Sequence, residues 1–254
     1  MCISIKNKSN RIVFIDEIRG FCIILMVLYH YAYNVFQIYG IEILNSAFLS
    51  FLRDFFAGIF ILISGISCNF SKNNFVRGLK CFGLGLLITL FTHVFISEQI
   101  IIFGILHMLG LAMIVYSLVN RYLNRLNKKM LMVLFFVLFI ITGNVVNGYI
   151  GIFTLIFFYI PDVLYSCKFL FPLGIVSNNF YSADYFPMLP WLFLFLFGAV
   201  LGSLRDVGKF PKFMYKRRCK AFAFIGRITI WIYLGHQPIF YLFLYIFKKF
   251  NLFV

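Results

Sequence analysis

Long apolar stretches, separated by short polar connections, follow one another along almost the whole chain. Several reach 18 residues or more, enough for a helix to cross a hydrocarbon core about 30 Å thick. Their side chains do not alternate between apolar and polar as barrel strands would, so helices are expected. We predict one domain over residues 1–254 with seven transmembrane helices, at residues 18–38, 49–70, 81–97, 100–119, 130–148, 187–204 and 222–247.

The longest connection, residues 149–186, contains a further apolar stretch over residues 150–160, which ends at Pro161. This stretch is too short to cross a bilayer as a helix. We therefore predict a half-helix or re-entrant segment over a cavity. It could instead extend the fifth helix or form an eighth.

Composition supports the membrane class. The chain is 63% hydrophobic and only 12% charged, with a mean hydropathy of +0.96. A soluble domain carries roughly a quarter of its residues as Asp, Glu, Lys and Arg. The expected fold class is therefore an all-α polytopic bundle of about seven helices in the cell membrane, with the lipid bilayer as its main partner.

The net charge of +15 does not indicate nucleic-acid binding, because no basic stripe lies outside the segments that flank the apolar stretches. Most Lys and Arg residues lie in the N-terminal segment and after the second, fourth and sixth predicted helices. By the positive-inside rule, the N-terminus is predicted to be cytoplasmic and the C-terminus outside.

Four histidines, His30, His93, His107 and His236, all fall within predicted helices. An ionisable side chain at membrane depth is costly, so each is a functional candidate. The alternative for each is a neutral histidine bonded to a neighbouring helix. The histidines are far apart in sequence and the six cysteines form no CxxC pair, so no metal site is expected.

Two polar stripes follow from helical spacing. In the first helix Asp16, Arg19, His30 and Asn34 share one face, with Arg19 and His30 about 16 Å apart along the axis. Such a face should point to the bundle interior or to a wet channel. In the last helix Thr229, Tyr233 and His236 form the second stripe, with Gln237 alongside.

Four cationic residues, Arg19, Arg77, Lys80 and Arg227, lie at the predicted cytoplasmic ends of helices. They would suit the phosphates of a ligand that enters from the cytosol. The alternative is that they are anchors that snorkel to the interface.

Six motifs occur in order: RIVFIDEIRGFCIILMVLYH (Arg11–His30), FILISGIS (Phe60–Ser67), RGLKCFGLGLLITL (Arg77–Leu90), IIFGILHMLG (Ile101–Gly110), SADYFPMLPW (Ser182–Trp191) and GRITIWIYLGHQPI (Gly226–Ile239). Together they resemble the heparan-α-glucosaminide N-acetyltransferase catalytic-domain family. That family is related to the broader transmembrane acyltransferases of acyltransferase family 3. The resemblance covers nearly the whole chain.

The resemblance implies an enzyme that takes an acetyl or short acyl group from cytosolic acetyl-CoA. It would pass that group to an amine or hydroxyl of a sugar-like acceptor on the extracytoplasmic side. No metal is expected, and a homo-oligomer is compatible with the family. In lysosomal members the acting histidine lies in the first luminal loop, whereas the corresponding segment here, residues 38–48, has no histidine. The covalent acyl-histidine mechanism is therefore not implied.

Site residues follow from the stripes and the motifs together. His30, with Asp16 and His236, is predicted to be catalytic, as general base or transient acyl carrier. Arg19, Arg77, Lys80 and Arg227 are predicted to bind the CoA phosphates. The predicted substrate-binding residues, several of them as oxyanion donors, are Asn34, His107, Asp184, Tyr233 and Gln237.

Two other classes of function compete with a transferase. Buried His, Asp and Arg residues also form proton relays, so a proton- or solute-coupled transporter is the first alternative. The chain shows no internal repeat of the kind that many transporters have. The second alternative is a non-catalytic membrane subunit whose polar stripes only hold helices together.

Overall fold

A computed structural model describes residues 11–39, 47–177, 179–204 and 210–249, and it is 70% helix. The helices are α1 (Val13–Tyr39), α2 (Ala47–Cys68), α3 (Asn74–Phe95), α4 (Ile105–Leu123), α5 (Lys128–Ile141), α6 (Asp162–Tyr165), α7 (Met188–Gly202), α8 (Lys220–Ile225) and α9 (Thr229–Lys249). A two-stranded antiparallel sheet, β1 (Tyr149–Ile152) and β2 (Leu155–Tyr159), lies between α5 and α6.

Within the described part of the chain, four segments are long enough and apolar enough to cross a membrane: Phe48–Cys68, Asn74–Phe95, Ile105–Leu123 and Lys128–Asn147. They correspond to the second to fifth predicted helices, and α7 is apolar but shorter. Large apolar side chains point outward from them, for example Leu90 at 60% and Met130 at 71% exposure. Lipid rather than water is the solvent that such surfaces fit. Seven spans and the orientation of the termini stay predictions.

Three predicted helix starts need correction. α1 begins at Val13 rather than at residue 18. α3 begins at Asn74 rather than at residue 81, because Asn73 caps it by accepting the backbone N–H of Val76. α4 begins at Ile105 rather than at residue 100. The backbone before α4 pairs instead with another segment: Ala183 N–H bonds to Ile100 and Phe186 N–H bonds to Phe103.

The last predicted helix, over residues 222–247, is divided into α8 and α9. Gly226 lies in the break, and a Cβ added there would overlap the carbonyl oxygen of Asp16 in α1. A Cβ on Gly20 of α1 would likewise overlap the carbonyl of Phe222 in α8. The two glycines therefore let the backbones of α1 and α8 pack directly together, an approach that a straight helix with larger residues would not allow.

The helical forms predicted for residues 150–160 (a half-helix, an extension of the fifth helix or an eighth helix) are wrong, because this segment forms the β1–β2 hairpin. A re-entrant position for the segment stays a prediction. Tyr149 pairs with Tyr159, and Ile152 pairs with Leu155 across a two-residue turn. Gly148, with φ of 92°, turns the chain out of the preceding helical turn. The β-branched and aromatic residues of the segment favour strands, and every residue of β2 is exposed.

The chain forms two compact units. The first combines Met1–Phe60 with Asp206–Val254, and the second is Ile61–Arg205. In the first unit α1 packs against α8 and α9. In the second α3 packs against α4, and α7 packs against α4 and α5.

Candidate functional site

Two histidines from opposite ends of the chain meet in the first unit. His30 of α1 and His236 of α9 hold their ring centroids 5.1 Å apart, with an angle of 53° between the ring planes. His236 is buried and His30 is half-buried. Both were predicted catalytic residues, and the structure brings these two together.

Two hydrogen bonds of side-chain amides decide which ring nitrogen of His30 carries the proton. Asn34 Nδ2, one turn further along α1, donates to Gln237 Oε1 at 2.8 Å. Gln237 Nε2 lies 3.1 Å from His30 Nδ1. An amide nitrogen can only donate, so His30 Nδ1 accepts this bond. In the neutral ring the proton of His30 is then on Nε2, which is a hydrogen-bond donor.

His236 has the opposite arrangement. Its Nδ1 lies 2.7 Å from the backbone carbonyl oxygen of Tyr233, one turn earlier in α9. A carbonyl oxygen can only accept, so Nδ1 carries the proton. The neutral ring therefore has its lone pair on Nε2, where it can accept a proton. One imidazole is thus set to donate at Nε2 and the other to accept.

Aromatic rings surround the pair. The ring centroid of Tyr29 lies 5.7 Å from that of His30. Tyr233 and Phe240 lie 5.5 and 6.1 Å from His236. These rings give the imidazoles an apolar surrounding, in which a hydrogen bond to a developing charge is stronger than in water.

Asn34 is fully buried. Its Nδ2 is bonded to Gln237, but its Oδ1 has no hydrogen-bond partner among the described residues. A buried acceptor left in this state costs about 1–3 kcal/mol, so a donor from water or a ligand is expected there. Asn34 is thus better suited to accept an N–H or O–H of a substrate than to donate to an oxyanion.

Asp16 lies at the other end of α1, about 21 Å along the helix from His30. Its carboxylate accepts from Arg11 Nε at 2.5 Å and Nη2 at 3.1 Å, and Arg19 Nη1 is 4.0 Å away. The hydrogen bond to Asp16 raises the pKa of Arg11 above its ordinary value. The structure therefore places guanidinium groups, not imidazoles, beside Asp16, and its catalytic role stays a prediction.

Sequence analysis missed Glu17. This buried carboxylate accepts the backbone N–H groups of Arg218 and Cys219 through Oε1, at 2.7 and 2.9 Å. It therefore joins the start of α1 to the segment that leads into α8. The sequence does show that Glu17 is a second acid, beside Asp16, at the start of a predicted helix. It does not show the partners of Glu17, because they lie about 200 residues away in sequence.

The predicted phosphate-binding residues are divided between the units. Arg19 and Arg227 lie in the first, where Arg227 is exposed and donates through Nε to the carbonyl of Ala223 at 3.2 Å. Arg77 and Lys80 are exposed in the first turns of α3, in the second unit. A common role for the four at one nucleotide stays a prediction.

His107 and Asp184 are buried in the second unit. The backbone N–H of Gly104 donates to His107 Nδ1 at 3.2 Å, and Thr89 Oγ1 lies 3.3 Å from Nε2. Thr89 gives its own proton to the carbonyl of Ile101, so it accepts from His107. Both ring nitrogens are engaged, as expected of a neutral histidine bonded to a neighbouring helix. Substrate binding by His107 and Asp184 stays a prediction.

Among the residues that the structure describes, no three His, Cys, Asp or Glu side chains group as metal ligands would. The searches of curated proteins and of solved structures found no match.

A family model described as "Heparan-alpha-glucosaminide N-acetyltransferase, catalytic" matches residues 11–238. The match includes both histidines of the pair and the amides of Asn34 and Gln237. It confirms the resemblance drawn from the motifs and gives no support to a transporter. The chain therefore belongs to the heparan-alpha-glucosaminide N-acetyltransferase catalytic-domain family, a membership that indicates a transmembrane acetyltransferase.

Proposed function

We propose that the protein transfers an acetyl or short acyl group from cytosolic acetyl-CoA to an amine or hydroxyl of a sugar-like acceptor on the extracytoplasmic side of the cell membrane. The observation that carries this proposal is the His30–His236 pair, whose two Nε2 atoms have opposite hydrogen-bonding roles. Acyl transfer needs one group that accepts a proton and another that stabilises negative charge.

The pair divides the chemistry as follows. His236 Nε2 takes the proton of the acceptor as its nitrogen or oxygen forms a bond to the thioester carbonyl carbon. The carbonyl oxygen becomes negatively charged, and His30 Nε2–H donates a hydrogen bond to it. The carbon–sulfur bond then breaks, and the CoA thiolate leaves with the proton that His236 had taken. No covalent enzyme intermediate is required.

Asn34 and Gln237 are positioning residues in this proposal. Their amides keep His30 Nδ1 as an acceptor, so that the donor of the ring stays on Nε2. Asn34 Oδ1 is available to hold the acceptor, and Tyr233 is the second residue proposed to contact it. The buried Asn34 oxygen would accept an N–H or O–H of a sugar, which removes the cost of leaving it unsatisfied.

Arg19 and Arg227, both in the first unit, would bind phosphate groups of CoA, and the same role for Arg77 and Lys80 of the second unit stays a prediction from the sequence. In the described part of the chain, Arg77, Lys80 and Arg227 are not paired with any carboxylate. Cations in this condition are available to an anionic ligand, and guanidinium groups suit phosphate especially well.

The experiment that tests donor binding is thermal unfolding of the detergent-purified protein with acetyl-CoA, using ATP at the same concentration as the anion control. A ligand in hundredfold excess over its Kd stabilises the folded state by about 2.7 kcal/mol. We expect a shift with acetyl-CoA and none with ATP. The absence of any shift in folded protein would contradict the proposal.

Transfer itself is measured by mass spectrometry of the acceptor after incubation with acetyl-CoA carrying a ¹³C-labelled acetyl group. Glucosamine and glucose form a matched pair of acceptors that differ in one amine. Labelled N-acetylated product would identify an amine acceptor, and an ester on glucose would identify a hydroxyl. Release of free acetate alone would show hydrolysis and contradict transfer to a sugar.

A further inference from the structure

A polar cleft of about 520 Å³ opens in the second unit, where α2 ends, α3 begins and α4 ends. Among the residues that the structure describes, its lining is made largely of amide and hydroxyl side chains, with one cation and no carboxylate. The polar residues that the argument uses are Ser71, Lys72, Asn73, Asn74, Asn120 and Asn124. None of them belongs to the histidine pair or to the predicted site residues.

The cleft lies at a membrane boundary. α2, α3 and α4 are all candidate membrane spans, and the cleft is found where two of them end and the third begins. Its inner side is tied by Asn69, whose Oδ1 accepts from the Tyr116 hydroxyl at 3.2 Å. Asn69 Nδ2 donates to the carbonyl of Ala199 at 2.8 Å. Hydrogen bonds of Asn69 thus fix the inner wall of the cleft, which lies at the depth of lipid headgroups.

Several donors in the cleft have no hydrogen-bond partner in the described part of the chain. Asn73 and Asn74 use their side chains to bond the ends of α3 and α2. Among the described residues, by contrast, the side chains of Lys72, Asn120 and Asn124 make no hydrogen bond. An ammonium and two carboxamides therefore face the cleft, and the described part of its lining holds no carboxylate to neutralise the charge. This set suits an anion that has several acceptor oxygens.

Apolar side chains continue from the cleft along the outside of the helices. Phe75 and Leu118 line it and are 42% and 63% exposed. Leu79, one turn further into α3, is also exposed. A polar hollow with an apolar wall at a membrane boundary matches a ligand that joins a charged headgroup to hydrocarbon chains.

We propose that this cleft binds the headgroup of one anionic glycerophospholipid. The phosphate lies beside Lys72 and the first backbone N–H groups of α3, and the headgroup hydroxyls bond to Asn120 and Asn124. The acyl chains pack on Phe75 and Leu118. This site is separate from the acetyltransferase proposal and does not depend on it.

The test is thermal unfolding of the purified protein in neutral detergent with added palmitoyl-oleoyl phosphatidylglycerol, followed by tryptophan fluorescence. Palmitoyl-oleoyl phosphatidylcholine tests whether the anionic headgroup matters, and glycerol phosphate tests whether the acyl chains matter. We expect the anionic lipid alone to raise Tm, with saturation near one lipid per protein by native mass spectrometry.

Lys72→Gln should weaken binding of the anionic lipid about fivefold, the effect of one cation near a membrane surface. Lys168→Gln removes the same charge at an exposed position outside the cleft and should leave lipid binding unchanged. Asn124→Ala, at an exposed position beyond α4, is a second variant if Lys72→Gln does not fold.

Three outcomes would overturn the proposal. The first is equal stabilisation by both lipids, and the second is an anionic-lipid shift that survives in Lys72→Gln and Asn124→Ala. The third is an equal shift with glycerol phosphate, which would make the ligand a soluble phosphate ester. Stabilisation by the anionic lipid that both cleft variants weaken, and that Lys168→Gln does not, would establish the site.

Discussion

His30 and His236 hold their imidazole rings 5.1 Å apart with the same nitrogen engaged in opposite roles, Nδ1 of His30 as an acceptor and Nδ1 of His236 as a donor. The partner of each ring decides this difference, a side-chain amide for His30 and a backbone carbonyl for His236. The two histidines are therefore not interchangeable, and substitutions at each should have different consequences.

Replacing His236 should remove the proton acceptor. His236→Asn keeps an N–H near the position that bonds the Tyr233 carbonyl, but has no basic nitrogen. We expect acetyl transfer to fall about 10²–10⁴-fold with little change in Tm. His93→Ala, which removes an exposed histidine of α3, is the control and should retain full activity. Near-normal turnover in His236→Asn would end its assignment as the base.

Gln237 provides a test of the hydrogen-bonding chain. In Gln237→Glu the carboxylate can only accept, so His30 should move its proton to Nδ1 and lose the donor at Nε2. Transfer should then fall about 10²–10³-fold, the cost of removing one oxyanion donor. Acetyl-CoA binding, measured by thermal shift, should stay unchanged.

The tautomers can be observed directly by ¹⁵N NMR of histidine-labelled protein, because the chain has only four histidines. The unmodified protein should show His30 protonated at Nε2, and Gln237→Glu should show it protonated at Nδ1. A low activity in Gln237→Glu with an unchanged His30 tautomer would mean that Gln237 acts in some other way.

The close packing of α1 on α8 predicts a strong effect at one glycine. Gly226→Ala would place a Cβ against the carbonyl oxygen of Asp16 and force the two backbones apart. We expect a loss of about 1–3 kcal/mol, the usual cost of overpacking, seen as a lower Tm in detergent.

Gly235→Ala is the matched control within the same unit. Its added Cβ would meet only Ile239 Cδ1, at an ordinary contact distance of 3.8 Å. Because alanine favours helix over glycine by up to about 1 kcal/mol, Tm should stay equal or rise. Equal losses in both variants would show that the α1–α8 contact is not what makes Gly226 necessary.

Helical periodicity predicted the two halves of the candidate site separately. It placed His30 with Asn34 on one face of α1, and His236 beside Gln237 in the last helix. It did not show that the two faces meet, since one sequence carries no information on which helices pack together. The bonds of Glu17 to the backbone before α8 were missed for the same reason. Arg11, which pairs with Asp16, precedes the first residue of α1, so helical spacing did not place the two together.

The local sequence pattern also gave a wrong secondary structure where a short segment is compatible with both a helix and strands. Residues 150–160 form an apolar run that suits a half-helix as well as strands. Gly148 and the two-residue turn at Phe153 decide for the hairpin. The break between α8 and α9 falls inside an apolar run, so the local sequence does not reveal it. The break coincides with the contact of Gly226 with α1.

Cysteine labelling tests the orientation predicted from the Lys and Arg distribution. Cys167 is exposed and lies in the connection after the fifth predicted helix, on the extracytoplasmic side of that scheme. Cys219 is partly exposed and lies in the cytoplasmic connection after the sixth. The buried Cys22, Cys68 and Cys81 should react little, and Cys2 is replaced by serine in every sample.

In intact cells a membrane-impermeant maleimide should label a variant that retains Cys167 and carries Cys219→Ser. The reciprocal variant retains Cys219 and carries Cys167→Ser. It should be labelled only after the membrane is permeabilised, because the Cys219 thiol faces the cytosol. Labelling of the second variant in intact cells and not of the first would invert the orientation. It would also place the basic connections outside, which would contradict a cytosolic entry for acetyl-CoA at Arg19 and Arg227.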